Sequence, residues 1–274
     1  MKNISFEFFP PKTDEGRAKL AKVRDKLAEL DPLYFSVTYG AGGSTQEGTL
    51  NAVLDIKNSG YSAAPHLSCI GSSRTHLREM IETYKSHGIN RIVALRGDLP
   101  SGTHDMGELH YANDLVEFIR SETGNHFQIE VAAYPEYHPQ AMSPKADFQH
   151  FINKMNAGAD SAITQYFFNA DAYFYFLERC QKAGMDKPII PGIMPITNFS
   201  RLVSFSDMCG AEIPRWVRKR LEDFQDDIDS LKSFGVDVVS KMCQQLQEGG
   251  APGLHFYSLN QSEASIKICK NLSE

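Results

Sequence analysis

Eight short runs rich in β-branched and aromatic residues recur along the chain with too much sequence between them for hairpins. This repetition constrains the fold more than any other feature. The runs span 4–9, 34–39, 63–69, 91–95, 128–134, 161–165, 188–193 and 253–258. Helix-period segments lie between them: Leu20, Val23, Leu27 and Leu30 repeat on one face, and Phe148, Phe151, Ile152 and Met155 form another apolar stripe. Ser143 followed by Pro144 supplies an N-cap and a proline at the first helical position. Eight strands alternating with helices predict an α/β protein, a closed parallel (β/α)8 barrel of the TIM type, with residues 1–274 as one domain. The competing open doubly wound sheet lacks its dinucleotide fingerprint, because the stretch from Gly40 to Thr45 has no glycine at its sixth position. The long connection between Met194 and Gly253 predicts several helices, with the acidic run from Glu222 to Asp227 at a solvated helix junction.

Composition narrows the class. With 42% hydrophobic and 23% charged residues the chain is an ordinary globular polypeptide, and its 274 residues suffice for a core without disulfides or a structural metal. A net charge of -6 argues against nucleic acid as a partner. The five cysteines are odd in number, widely spaced and without a C-x-x-C pair, so a disulfide framework and a zinc knuckle are both disfavoured, and a reducing cytoplasm is expected. No signal-like or membrane-spanning apolar run is present, which points away from a membrane.

In a barrel of this kind reactive groups project from the C-terminal ends of strands. Glu7 near the end of the first run, Asp98 after the fourth and Gln165 at the end of the sixth are expected to converge there. Alternation puts Ser5, Glu7 and Phe9 on one face and Ile4, Phe6 and Phe8 on the other. Glu7 reads either as an interior carboxylate satisfied by a cation or water, or as a general acid kept protonated by apolar surroundings. Asp98 follows Arg96 and Gly97: the glycine would allow close backbone approach to a ligand, whereas a local Arg–Asp pair closing a turn is the plainer reading. His66 and His138 are core histidines or donors at the rim, and no metal site is expected from their spacing. Thr38 and Tyr39 lead into the glycine-rich GAGGST, a phosphate nest or a loose loop. Asp147, His150 and Lys154 share a helical stripe that is either solvated or runs beside an elongated ligand. Helix packing is the default for Trp216 and Phe205.

Taken together, SFEFFPPK at 5–12, FSVTYGAGGST at 35–45, AAPHLSC at 63–69, IVALRGDLP at 92–100, AAYPEYHP at 132–139, AITQYFF at 162–168 and HFYSLN at 255–260 closely resemble the methylenetetrahydrofolate reductases. The resemblance implies the catalytic barrel alone, without the C-terminal regulatory domain of eukaryotic members. It implies an FAD enzyme that takes hydride from NADH or NADPH, with NADH the donor expected of a short bacterial-type member. The hydride goes to 5,10-methylenetetrahydrofolate to give 5-methyltetrahydrofolate, by a ping-pong mechanism in one-carbon metabolism and methionine biosynthesis. A cytoplasmic homo-oligomer is expected. A non-catalytic flavin- or folate-binding subunit is the alternative, and a flavin-free lyase or aldolase a third.

On this resemblance Glu7 is the general acid that helps open the folate's five-membered ring to an iminium, with burial among Phe6, Phe8 and Phe9 holding its proton. Asp98 lies beside flavin and folate and tunes both, Gln165 hydrogen-bonds the pterin or the nicotinamide amide, and Phe205 stacks on either substrate. The flavin contacts carried over are Thr38, Tyr39, His66, Arg96, Gly97, Asp98, Ala112, Tyr134, His138, Ala141, Asp147, His150, Asn153 and Lys154. Arg201 and Gln261 occupy folate-binding positions where an alignable member has glutamine and arginine, and His150 and Asn153 replace its Asn and Arg.

Overall fold

A computed structural model describes residues 3–39, 46–98, 106–224 and 227–273. The glycine-rich stretch from Gly40 to Thr45 and the residues from Leu99 to Asp105 lie outside the described residues. The strands are β1 (Ile4–Phe8), β2 (Tyr34–Val37), β3 (Ala63–Ser68), β4 (Arg91–Leu95), β5 (Gln128–Ala133), β6 (Ser161–Thr164), β7 (Ile189–Ile190), β8 (Gly192–Ile193) and β9 (Leu254–Tyr257). They form one sheet in the order β7-β6-β5-β4-β3-β2-β1-β9-β8, and each pairing is parallel.

The run at 188–193, expected as one strand, is two, because Pro191 interrupts it. Proline has no N–H to give to a ladder. Below the break β7 pairs with β6, and above it β8 pairs with β9. The two ends of the sheet are therefore halves of one short segment, and the ring closes with eight staves. The Pro191 carbonyl still accepts from the His255 amide at 3.0 Å, and the Gly192 amide donates to Thr164 Oγ1 at 2.8 Å. A Cβ on Gly192 would stand 2.1 Å from the Thr164 carbonyl oxygen, so only glycine fits at the closure. The closed ring excludes the open doubly wound sheet.

The helices are α1 (Asp14–Ala28), α2 (Gln46–Asn58), α3 (Arg74–Ser86), α4 (Ala112–Thr123), α5 (Pro144–Asn156), α6 (Ala170–Lys182), α7 (Phe199–Cys209), α8 (Arg215–Asp223), α9 (Ile228–Glu248) and α10 (Glu263–Asn271). Side-chain N-caps start most of them: Thr13, Ser73, Ser143, Asn169, Asn198 and Asp227 each accept from a backbone amide in the first turn. The long connection holds α7, α8 and α9, with Glu222 and Asp223 ending α8 and Asp227 capping α9. α8 concentrates Arg215, Arg218, Lys219 and Arg220, a local exception to the chain's negative charge. Its Trp216 is 60% exposed, touching Phe234 edge-on at 6.2 Å, so the expected helix packing is only partial. Among the described residues no helix is long and apolar enough to cross a membrane.

Strand alternation sorts the core into two shells. Phe6, Phe8, Phe35 and Phe256 face the helices, with Phe8 stacked on Phe35 at 5.2 Å and Phe6 tilted against Phe256 at 5.4 Å. Inside the barrel, the strand starts carry a polar floor. Tyr34 donates to Glu130 Oε2 at 2.5 Å and Arg91 donates to Glu130 Oε1 at 2.7 Å, while the Arg91 guanidinium lies 4.4 Å over the Tyr34 ring. Tyr34, Ala64, Val93 and Ile163 form a small apolar cluster. Glu7 sits higher, one pleat above Ser5, near the mouth.

Candidate active site

The interior face of β1 is polar. Glu7 Oε2 lies 3.4 Å from His66 Nε2 on β3 and 3.9 Å from His255 Nε2 on β9. Phe6 and Phe8 point the other way, into the helix layer, so the apolar burial expected to hold the Glu7 proton is replaced by two imidazoles and Tyr257. Burial pulls the His66 imidazole below its ordinary value, partly countered by the Glu7 charge. Burial pushes the Tyr257 phenol well up, with the Glu7 charge adding to it.

Tyr257 links Glu7 to the sixth strand. Its hydroxyl donates to the Thr164 carbonyl at 2.7 Å, and the next residue is Gln165, whose Oε1 accepts from the Tyr166 amide at 3.0 Å. Gln165 shares a small cleft with Tyr134, Glu136, Tyr166 and Cys209, the last on α7. Burial raises the Tyr134 phenol to about 12, with Asp147 and then Asp98 contributing through their charges. Strand register sets Glu7 beside Tyr257, whose hydroxyl reaches the residue before Gln165, and Asp98 lies close enough for its charge to act on Tyr134 in the Gln165 cleft, so the three lie toward the same strand ends. Asp98 is exposed, and it forms no ion pair with Arg96, whose guanidinium donates instead to the Gly97 carbonyl at 3.2 Å and to Gln140 Oε1 at 2.9 Å. Gly97 has φ +82°, and the space a side chain would need is taken by Ser68, 2.8 Å from an ideal Cβ. The glycine is required by its own barrel neighbour, not only by an approaching ligand.

The residues matched to flavin contacts line the same end. Thr38 is buried, and its Oγ1 has no hydrogen-bond partner among the described residues. Tyr39 follows it, half-buried. Ala112 opens α4. His138 contacts Tyr134 edge-on at 4.6 Å, and its amide donates to Asp147 Oδ2 at 3.0 Å. Burial lowers the His138 imidazole, with Asp147 opposing. The Ala141 amide donates to the His138 carbonyl at 2.9 Å, closing the turn before α5. The α5 stripe is not uniformly solvated. His150 is exposed and stacks on Tyr111 at 6.3 Å, and Asn153 accepts from Gln149 at 3.0 Å, but the Lys154 amine is buried and donates to the Ala132 carbonyl. Burial lowers that amine to about 8. Phe205 is half-buried on α7, whereas Arg201 and Gln261 are exposed.

Sequence reading missed His255 and Tyr257 as site residues. Alternation on β9 puts both on one face, and parallel pairing sets them beside Ser5 and Glu7. A groove of about 470 Å³ between α1 and α2 contains none of these groups; its rim carries the Arg17–Asp55 ion pair.

The family model described as methylenetetrahydrofolate reductase matches residues 1–273. The 5,10-methylenetetrahydrofolate reductase of Escherichia coli K12 is 42% identical over 273 residues, covering 98% of this chain and 90% of that protein. The Arabidopsis thaliana protein named methylenetetrahydrofolate reductase (NADH) 1 is 36% identical over 283 residues, covering 98% of this chain and 48% of that protein. A solved structure of an uncharacterized Clostridium thermocellum protein, described as binding two copies of 5-methyl-5,6,7,8-tetrahydrofolic acid, superposes with a TM-score of 0.72 at 19% identity, over 98% of this chain and 94% of that one. That likeness shows the fold. With the family model spanning residues 1–273 and the Escherichia coli relative matched over 90% of its own length, the chain belongs to the methylenetetrahydrofolate reductase family.

Proposed function

We propose that the enzyme reduces 5,10-methylenetetrahydrofolate to 5-methyltetrahydrofolate with hydride taken from NADH through bound FAD, residues 1–274 acting as one flavin-binding unit. The observation that carries this reading is the junction of Glu7, Tyr257 and Gln165 at one barrel mouth, with Asp98 acting on Tyr134 beside them. The shared reductase name of relatives covering 98% of the chain sets aside a non-catalytic subunit and a lyase.

The chain's own groups fit a flavin dinucleotide. A buried Thr38 hydroxyl without a partner among the described residues, the Arg96 guanidinium and the enclosed Lys154 amine are donors of the kind a diphosphate accepts. Asp147 and His138 supply polar contacts along the same helix start, and Asn153 and His150 lie farther along it. Bound there, the flavin supplies a two-electron carrier between nicotinamide and folate. One mouth serving both substrates requires the first to leave before the second enters, which gives ping-pong kinetics. Glu7 would hand a proton to the folate and open its five-membered ring to an iminium able to accept hydride. Asp98 would act by its charge, Gln165 would hold the pterin or nicotinamide amide, and Phe205 would stack on either. Arg201 and Gln261, both exposed, would contact the folate's outer part. The plant relative named for NADH favours that donor over NADPH, and the Clostridium neighbour of the same fold, described as binding 5-methyl-5,6,7,8-tetrahydrofolic acid, supports a folate substrate. A cytoplasmic homo-oligomer completes the proposal, and light scattering tests the assembly.

The experiment is anaerobic stopped-flow mixing of flavin-loaded Glu7→Gln. Flavin absorbance should show normal binding and normal reduction by NADH, with reoxidation by methylenetetrahydrofolate slowed by about 100-fold or more. Full folate turnover in this variant removes Glu7 from the mechanism, and failure of the unaltered protein to take up FAD removes the flavin.

A further inference from the structure

His255 is a buried polar group inside the barrel that the reading above does not use. His255 is 0% exposed, and its Nδ1 lies 2.7 Å from Ser5 Oγ, itself buried. Its Nε2 has no hydrogen-bond partner among the described residues and faces Glu7 Oε2 at 3.9 Å. This arrangement is set by the backbone: parallel pairing registers Ser5 with His255 and Glu7 with Tyr257, so the imidazole lies one pleat below the carboxyl. Fully buried imidazole nitrogens rarely lack a partner without a functional or solvent-mediated reason.

We propose that Ser5 and His255 form a positioning pair for Glu7: the serine hydroxyl donates to Nδ1, fixing the tautomer that carries its hydrogen on Nε2, and that N–H holds Glu7 and stabilises the carboxylate left by proton donation. The inference rests on the proposed role of Glu7. A neutral imidazole carries one N–H, and the partner of one nitrogen decides where it sits. With Nδ1 accepting from Ser5, Nε2–H points toward the Glu7 carboxyl, 3.9 Å away and outside hydrogen-bonding distance, and would close to a hydrogen bond as the carboxylate forms, since hydrogen bonds to a charged acceptor are about twice as strong as neutral ones. The gain appears only as the proton leaves, so it lowers the barrier instead of merely tightening the ground state.

Other groups face the same carboxyl. On β3, His66 Nε2 is 3.4 Å from the same Glu7 oxygen, nearer than His255 and likewise buried without a hydrogen-bond partner among the described residues; burial lowers its imidazole, with the Glu7 charge opposing. On β9, the Tyr257 hydroxyl is committed to the Thr164 carbonyl. On β2, the Tyr34 ring stacks on His255 at 6.1 Å; its hydroxyl donates to Glu130, whose charge is met by Arg91 on β4, and its oxygen is a second acceptor within reach of the Ser5 hydroxyl. Ser5 is the one hydroxyl whose hydrogen bond to the His255 ring is present among the described residues.

The test uses flavin-loaded Ser5→Ala and Ser5→Thr in anaerobic stopped flow, each checked for folding by thermal melting. In Ser5→Ala, flavin reduction by NADH should stay within twofold of the unaltered protein while reoxidation by methylenetetrahydrofolate falls about 10-fold. Ser5→Thr, which keeps the hydroxyl, should restore most of the rate. Adding Ser5→Ala to Glu7→Gln should slow the residual folate rate no further, because the group it serves is gone. Unchanged folate reoxidation in Ser5→Ala, or equal loss with and without Glu7, overturns the pairing. If Glu7→Gln itself turns over folate normally, the parent reading fails instead.

Discussion

The Lys154 amine is held in an environment that disfavours its charge, at a cost that follows from the size of the shift. Burial lowers it from 10.5 to about 8, with the Asp147 charge only partly offsetting this. That shift corresponds to about 3 kcal/mol of lost stability when the amine is protonated in the folded protein. Between pH 8 and 10.5 the unfolded chain binds more protons at this position than the folded one, so stability rises with pH across that window. Below pH 8 both states are protonated and the whole penalty stands. Lys154→Met removes the penalty but also the hydrogen bond to the Ala132 carbonyl, worth about 1 kcal/mol. The ligand-free variant should therefore be more stable than the unaltered protein by about 2 kcal/mol at pH 7, and the difference should vanish or reverse near pH 10.5. Urea unfolding at both pH values measures this directly. A pH-independent difference between the two proteins would refute the buried-ammonium argument. If the amine is kept for an anionic ligand, the same variant should lose about 10-fold or more in FAD affinity by fluorescence titration, gaining stability while losing binding.

Two further substitutions probe the barrel itself. Gly97→Ala places a side chain at φ +82° and 2.8 Å from Ser68, so left-handed strain and overpacking together should cost about 2–5 kcal/mol, read as a lowered urea midpoint with unchanged slope. Arg91→Ala strands the Glu130 carboxylate, 2% exposed, on the barrel floor; a loss of about 3–5 kcal/mol is expected, and an effect under 1 kcal/mol would show that Tyr34 and Ser161 suffice to hold it.

Each of the eight staves was legible in the sequence, because a strand buried on both faces must be a short apolar run and a parallel neighbour requires a long crossover. The break at Pro191 was legible in principle, since proline cannot donate to a ladder, yet nothing local says that the two flanking pairs join opposite ends of one sheet. Alternation placed Glu7 on the face away from Phe6 and Phe8, which already contradicted an aromatic pocket around it; the phenylalanines of SFEFF belong to the helix layer. The flavin and folate positions came through resemblance, and their convergence on one mouth follows from the rule that crossovers return every strand in the same direction.

What the one-dimensional pattern could not supply is which inward side chains share a level inside the ring. Ser5 and His255 are 250 residues apart, and only the stagger of β1 against β9 brings hydroxyl, imidazole and Glu7 into one column. The amine of Lys154 likewise reads as a surface charge on a helical stripe until α5 docks and carries it onto the Ala132 carbonyl. Periodicity is a property of neighbouring residues and is written in the chain; register and docking are set by the free energy of the whole closed ring, which no local segment contains.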